Sequence, residues 1–134
     1  GASDTATLNA VMEMLVHAGI PLPLAALMLI PPAVQGDETV PEAHRAMYQY
    51  YSCLMAPWDG PAALSMFDGE WAVAAMDRNG LRPMRYSITR DGLLLLGSEC
   101  GMIPADSNAI VEKGRLGPGE RIGIHLPSGK LYKD

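Results

Sequence analysis

Aromatic residues and cysteine are scarce in this chain. Its 134 residues include one phenylalanine and two cysteines. Cys53 and Cys100 stand far apart in no Cys-x-x-Cys pattern. That spacing argues against a local thiol redox motif, and the pair is read as buried free thiols in a reducing compartment. An excess of basic charge is missing too. Ten Lys and Arg face fifteen Asp and Glu, for a net charge of −5, with both signs interspersed. Without a basic stripe or arginine cluster, no nucleic-acid partner is expected. Long apolar runs are also lacking. The longest, Leu22 to Ile30, carries Pro23 inside it and is too short to span a bilayer. It has no charged leader, so neither a signal peptide nor a membrane partner is expected, and the location expected is cytoplasmic.

What the sequence does have is a series of turn signals. In the stretch Trp58 to Glu99, Asp68-Gly69, Asn79-Gly80 and Asp91-Gly92 separate short β-prone runs. Tight hairpin loops need positive φ, which Gly tolerates fully and Asn or Asp partly. The runs Ala63–Phe67, Trp71–Met76, Met84–Thr89 and Leu93–Gly97 therefore read as four strands of one antiparallel meander. Ala72-Val73-Ala74-Ala75 and Leu93-Leu94-Leu95-Leu96 do not alternate with polar residues. A strand without a polar face implies cover on both sides, so the meander should be an inner layer.

Upstream lie three helical patterns. Leu8, Val11, Met12 and Leu15 recur with the i, i+3, i+4, i+7 spacing of an amphipathic helix. Ser3 or Asp4 can cap its N-terminus, and Gly19 ends it. A second, almost wholly apolar helix runs from Leu24 to Ile30, with Pro23 in its first turn. Val34 to Val40 reads as a polar loop. Pro41-Glu42 opens a third helix to about Met55, with Ala43, Met47, Tyr50 and Leu54 as one stripe and Tyr48 and Tyr51 on other sides. Beyond the meander, Ala109–Lys113, Arg121–Leu126 and Lys130–Tyr132 read as strands, with Pro118-Gly119 suited to a type II turn. The chain is thus one α+β domain, helical over residues 1–57 and sheet-forming over 58–134.

Chemistry is thinly signalled. No nucleophile–base pair stands out, and His17, His44 and His125 lie on separate elements without metal-ligand spacing. The glycine-rich run Gly114 to Gly119 precedes a strand rather than a helix, which favours a hairpin over a phosphate cradle. Asp4, at a helix start, has two oxygens. One can cap while the other receives a ligand ammonium. Asn79 and Arg82, in the charged loop Asp77 to Pro83, are candidate wall residues beside a site. The alternative is a solvated hairpin tip.

Taken together, several motifs resemble the later part of the class II glutamine amidotransferase domain of glutamate synthases. They are Ser3-Asp4-Thr5-Ala6, Met28-Leu29-Ile30-Pro31 and Leu54 to Ala63 with its Pro57-Trp58-Asp59-Gly60-Pro61 core. Asp77 to Tyr86, Gly97-Ser98-Glu99 and Glu112 to Glu120 continue the likeness. The resemblance implies part of an N-terminal-nucleophile hydrolase αββα sandwich: three helices followed by an antiparallel meander that forms one of its sheets. It implies hydrolysis of L-glutamine by an N-terminal cysteine whose α-amine is the base, with an Asn-Gly oxyanion pair. The released ammonia would serve reductive amination of 2-oxoglutarate.

The first residue here is Gly1, not that cysteine. The nucleophile, the oxyanion pair and the carboxylate-binding arginine are expected upstream, so no catalytic residue is assigned to this chain. Asp4 matches the family's contact to the glutamine α-amino group, with Ser3 beside it. No cofactor or metal is implied for this segment. For the parent enzyme the resemblance implies FMN and iron–sulfur clusters, with FAD and NADPH through a small reductase subunit, or ferredoxin as partner. Two other readings stand beside it: a non-catalytic sandwich module, and a segment of another class II enzyme such as the purine-pathway phosphoribosyl amidotransferase.

Overall fold

The computed structural model describes residues 3–34 and 38–133; Gly1 and the middle of the expected polar loop lie outside them. Helix α1 spans Asp4–His17, α2 Leu22–Leu29 and α3 Glu42–Leu54. Strands β1 Ala63–Phe67, β2 Trp71–Met76, β3 Arg85–Thr89 and β4 Leu94–Gly97 follow, then β5 Ile110–Arg115, β6 Arg121–His125 and β7 Lys130–Lys133. Ser3 is the cap of α1, its Oγ accepting the Ala6 N–H at 3.3 Å. α2 begins at Leu22, two residues before the expected start, because Pro23 in the first turn has no N–H that the helix needs.

The strands do not form one meander. β1 and β2 belong to a four-stranded sheet ordered β1-β2-β6-β7, whereas β3 and β4 belong to a three-stranded sheet ordered β4-β3-β5. All strand pairs are antiparallel. β2 pairs on its second edge with β6, Trp71 facing His125, so β3 has no place beside it. The Asp77–Pro83 link instead leaves the first sheet. The Asp77 carbonyl accepts N–H groups from Gly80 at 3.2 Å and Gly119 at 2.9 Å. Its carboxylate Oδ2 accepts the Asn79 N–H at 3.0 Å. The stretch read as one sheet therefore contributes a hairpin to each of two.

The result is three layers: helices, the four-stranded sheet, and the three-stranded sheet. Leu8, Met12 and Leu15 of α1 and Ala25, Ala26 and Leu29 of α2 pack with Val73 of β2. On the other side of that sheet Ala74, Met76 and Ile122 meet Met84, Leu116, Tyr86, Leu94 and Leu96. Val73 and Ala74 alternate faces, as strand geometry demands, and both faces find an apolar partner. This is why β2 carries no polar side. β4 differs: its residues are half-buried and Leu93 is 55% exposed. Among the described residues only the Leu94 and Leu96 side is packed between the sheets.

Two side-chain expectations are corrected. No residue of α3 is fully buried, and Tyr50 and Leu54 are 61% and 56% exposed. The half-buried side of α3 carries Met47, Tyr48 and Tyr51 instead, and Tyr51 packs against the helical core. A helix that lies on the rim is oriented by its neighbours and not by its apolar count alone. Cys53 and Cys100 are free but exposed, not buried. Cys53 stands on the outer side of α3 and Cys100 in the turn after β4.

Pro118-Gly119 forms the expected turn, with the Glu120 N–H donating to Gly117 O at 3.1 Å and Gly119 at φ 73°, the conformation that a type II turn requires of its third residue.

Candidate functional site

Asp4 lies at the mouth of a cavity of about 490 Å³ between the start of α1 and the corner that follows α3. Thr7, Leu8 and Val11 of α1, Leu29 of α2 and the segment Met55 to Asp59 complete its walls. The helix start explains the position of Asp4. Because Ser3 takes the capping role, the Asp4 carboxylate is not needed for it. Asp4 is exposed and its carboxylate makes no hydrogen bond or ion pair with a described residue. Free amide N–H groups at a helix start favour a negative charge there.

The opposite wall is fixed by the backbone. The Trp58 N–H donates to Leu29 O at 2.7 Å, which ties the Pro57–Asp59 corner to the end of α2. The Trp58 ring lies close over Gly60, where an added Cβ would stand 3.0 Å from it. Asp59 carries a second carboxylate, but Arg78 engages it, Nη2 to Oδ1 at 3.2 Å. Asp4 therefore contributes the unpaired carboxylate of this cavity, against apolar walls of Leu8, Val11, Leu29 and Pro57. Such a site suits a cationic amine attached to an aliphatic stem.

The other sequence-derived candidates are placed differently. Ser3 is committed to the cap and touches Thr5 Oγ1 at 3.2 Å. Asn79 is exposed and its backbone is held by Asp77. Arg82 is exposed and lines a separate cavity of about 240 Å³. The fold does not bring Asn79 or Arg82 to the Asp4 cavity. It brings Asp59 there instead, and Arg78 pairs with Asp59 from outside the cavity lining. Both stood inside stretches recognisable by motif, yet only the fold shows that they meet.

Among the described residues no group of three or more His, Cys, Asp or Glu side chains is placed to hold a metal ion. Cys53 and Cys100 stand on separate elements and neither lines the Asp4 cavity. No described helix is long and apolar enough to cross a membrane.

Comparison with known proteins agrees with the layered fold and the motifs. The chain is 54% identical to the glutamate synthase [NADPH] large chain of Azospirillum brasilense, over all of this chain and 9% of that protein. It is 39% identical to the glutamate synthase [NADH] of Schizosaccharomyces pombe, over all of this chain and 6% of the relative. It is 42% identical to the ferredoxin-dependent glutamate synthase 2 of Synechocystis, over 98% of this chain and 9% of the relative. The chain thus spans less than a tenth of the length of these relatives. The family model for class II glutamine amidotransferases matches residues 1–134 throughout, and the chain belongs to that family.

Proposed function

We propose that this chain is part of the glutaminase site of a glutamate synthase, and that Asp4 holds the α-ammonium group of L-glutamine. One observation carries the reading. Ser3 caps α1, which leaves the Asp4 carboxylate without a partner at the mouth of an apolar cavity. The ammonium would donate to this carboxylate, a charge-assisted hydrogen bond worth roughly 1.5–3 kcal/mol. The aliphatic stem of glutamine would lie along Leu8, Val11 and Leu29. Arg78 neutralises Asp59, so a single carboxylate directs the ammonium and fixes the orientation of the substrate.

The attacking thiol and the oxyanion donors are assigned to parts of the protein outside this segment, since neither cysteine here lies on the cavity. The ammonia released would feed reductive amination of 2-oxoglutarate elsewhere in the parent enzyme. The FMN, iron–sulfur and FAD groups proposed for that enzyme belong to its other regions or its partner. Four cysteines are the usual cluster ligand set, and this chain has two, on separate elements. NADPH through a reductase subunit, or ferredoxin, is the proposed electron source, and the cytoplasm the proposed location.

In the full-length enzyme, Asp4→Asn should raise the KM for glutamine roughly 10- to 100-fold and leave ammonia-dependent glutamate synthesis unchanged. Equal loss of both activities would count against a glutamine-specific role for Asp4.

A further inference from the structure

Away from the Asp4 cavity, three arginines stand round one small cavity. It measures about 240 Å³ and lies between the Gly80–Arg85 segment and the end of β5. Arg82, Arg85 and Arg115 line it together with Gly80, Leu116 and Gly117, and no carboxylate does. Arg85 and Arg115 are direct cross-strand partners in the β3–β5 register. Like charges placed opposite one another destabilise a sheet, so this pairing is unfavourable for the fold alone. The Leu116 N–H donates to Met84 O at 2.9 Å, which holds the two segments together despite the repulsion.

None of the three arginines has an ion-pair partner among the described residues. The Glu120 carboxylate, beside one wall, accepts the Gly117 N–H at 2.7 Å. Glu99 shares a neighbouring cavity with Arg85 and makes no ion pair with it. Lys113 lies two residues before Arg115 on β5, hence on the same face, and it too is exposed and unpaired. In a chain of net charge −5, this is a local concentration of positive charge.

We propose that this cavity binds a small multivalent oxyanion, of the phosphate or dicarboxylate class. Guanidinium groups present forked donors that match such oxygens bidentately. Arg85 and Arg115 grip the anion from the sheet, and Arg82 closes on it from the loop. The bound charge removes the repulsion between the two strands. No residue is shared with the Asp4 cavity, so the site does not depend on the glutaminase reading.

Calorimetric titration of the full-length protein with inorganic phosphate and, separately, with succinate tests this. Binding of either probe is expected at a site that the arginine variants weaken, measured for succinate with 2-oxoglutarate present in excess. Phosphate alone would assign phosphate compounds, and succinate alone dicarboxylates. Arg115→Gln and Arg82→Gln should each weaken binding at least about tenfold, the cost of one charge-assisted hydrogen bond, while Arg115→Lys should be intermediate. Lys130→Gln, on the other sheet, should bind as the parent does. Thermal unfolding of each variant controls for loss of fold. No binding of either probe, equal weakening by Lys130→Gln, or parent-like affinity in both folded arginine variants would overturn the proposal.

Discussion

Lys133 of β7 forms an ion pair with Glu112 of β5, and so joins the edge strands of two different sheets. Tyr86 of β3 donates its hydroxyl to the same carboxylate oxygen at 2.8 Å. The Lys133 ammonium also stands 5.2 Å from the centre of the Tyr86 ring. One carboxylate thus receives donors from both sheets, at the side where, among the described residues, β7 and β5 are the last strands.

This cluster sets a pH dependence of stability. Its hydrogen bonds from Lys133, then Tyr86, hold the Glu112 carboxyl below its ordinary 4.5. The hydrogen bond to Glu112 raises Lys133 above its ordinary 10.5. A depressed carboxyl contributes stability above its unfolded value, lost as pH falls through the folded value. A raised ammonium contributes below its unfolded value, and that is lost as pH rises through the folded one. Denaturant midpoints measured across pH should therefore fall at both ends. Glu112→Gln should flatten the fall at both ends, because it removes the partner of Lys133 as well. Unchanged acid and alkaline limbs in that variant would contradict the clamp.

Gly114 of β5 lies beneath the Tyr86 ring, where an added Cβ would stand 2.5 Å from ring carbons. Gly114→Ala should push the ring aside, weaken its bond to Glu112 and destabilise the protein by about 1–3 kcal/mol. Tyr86→Ala removes the clash. In a double-mutant cycle the two substitutions should cost clearly less than their sum. Additive costs would mean that the ring and the glycine do not interact.

Ile122 is 1% exposed between the sheets, in contact with the cluster of Met76 and Met84. Ile122→Ala should cost about 2–5 kcal/mol and Ile122→Val about 0.5–1.5 kcal/mol. Chemical denaturation measures both. A smaller loss for Ala than for Val would show that the site is not close-packed.

Cys53 and Cys100 are exposed and neither touches the Asp4 cavity. Iodoacetamide should label both in the native 134-residue chain, as mass spectrometry would show. The same chain should release no ammonia from glutamine. Ammonia release abolished by labelling would return the nucleophile to this segment.

Much of the local structure was legible in the sequence. Ser3-Asp4 marked the start of α1, Pro41 that of α3, and Pro118-Gly119 a real turn. The side that α3 turns inward was not legible. Its tyrosines lie on several sides of the helix, and only the place of α3 on the rim decides which is covered. Part of the candidate site was legible as well. Asp4 was marked by its position, but Arg78 and Asp59 meet only because the chain turns twice between them. Of the arginine cavity only Arg82 was marked, since Arg115 lies far in sequence from Arg82 and Arg85 and joins them only through the β3–β5 pairing.

By itself the sequence determined the starts of α1 and α3, the turns and the apolar runs, and through its motifs the family. These depend on φ preferences, side-chain spacing and capping, which act over a few residues. Tertiary structure alone decided that β2 pairs with β6 and not with β3. A strand apolar on both faces gains stability only where both faces are covered. The four-stranded sheet meets that condition by taking helices on the Val73 side and a second sheet on the Ala74 side. The loop from Asp77 to Pro83, which looked like one more hairpin tip, is the crossing that makes both contacts possible.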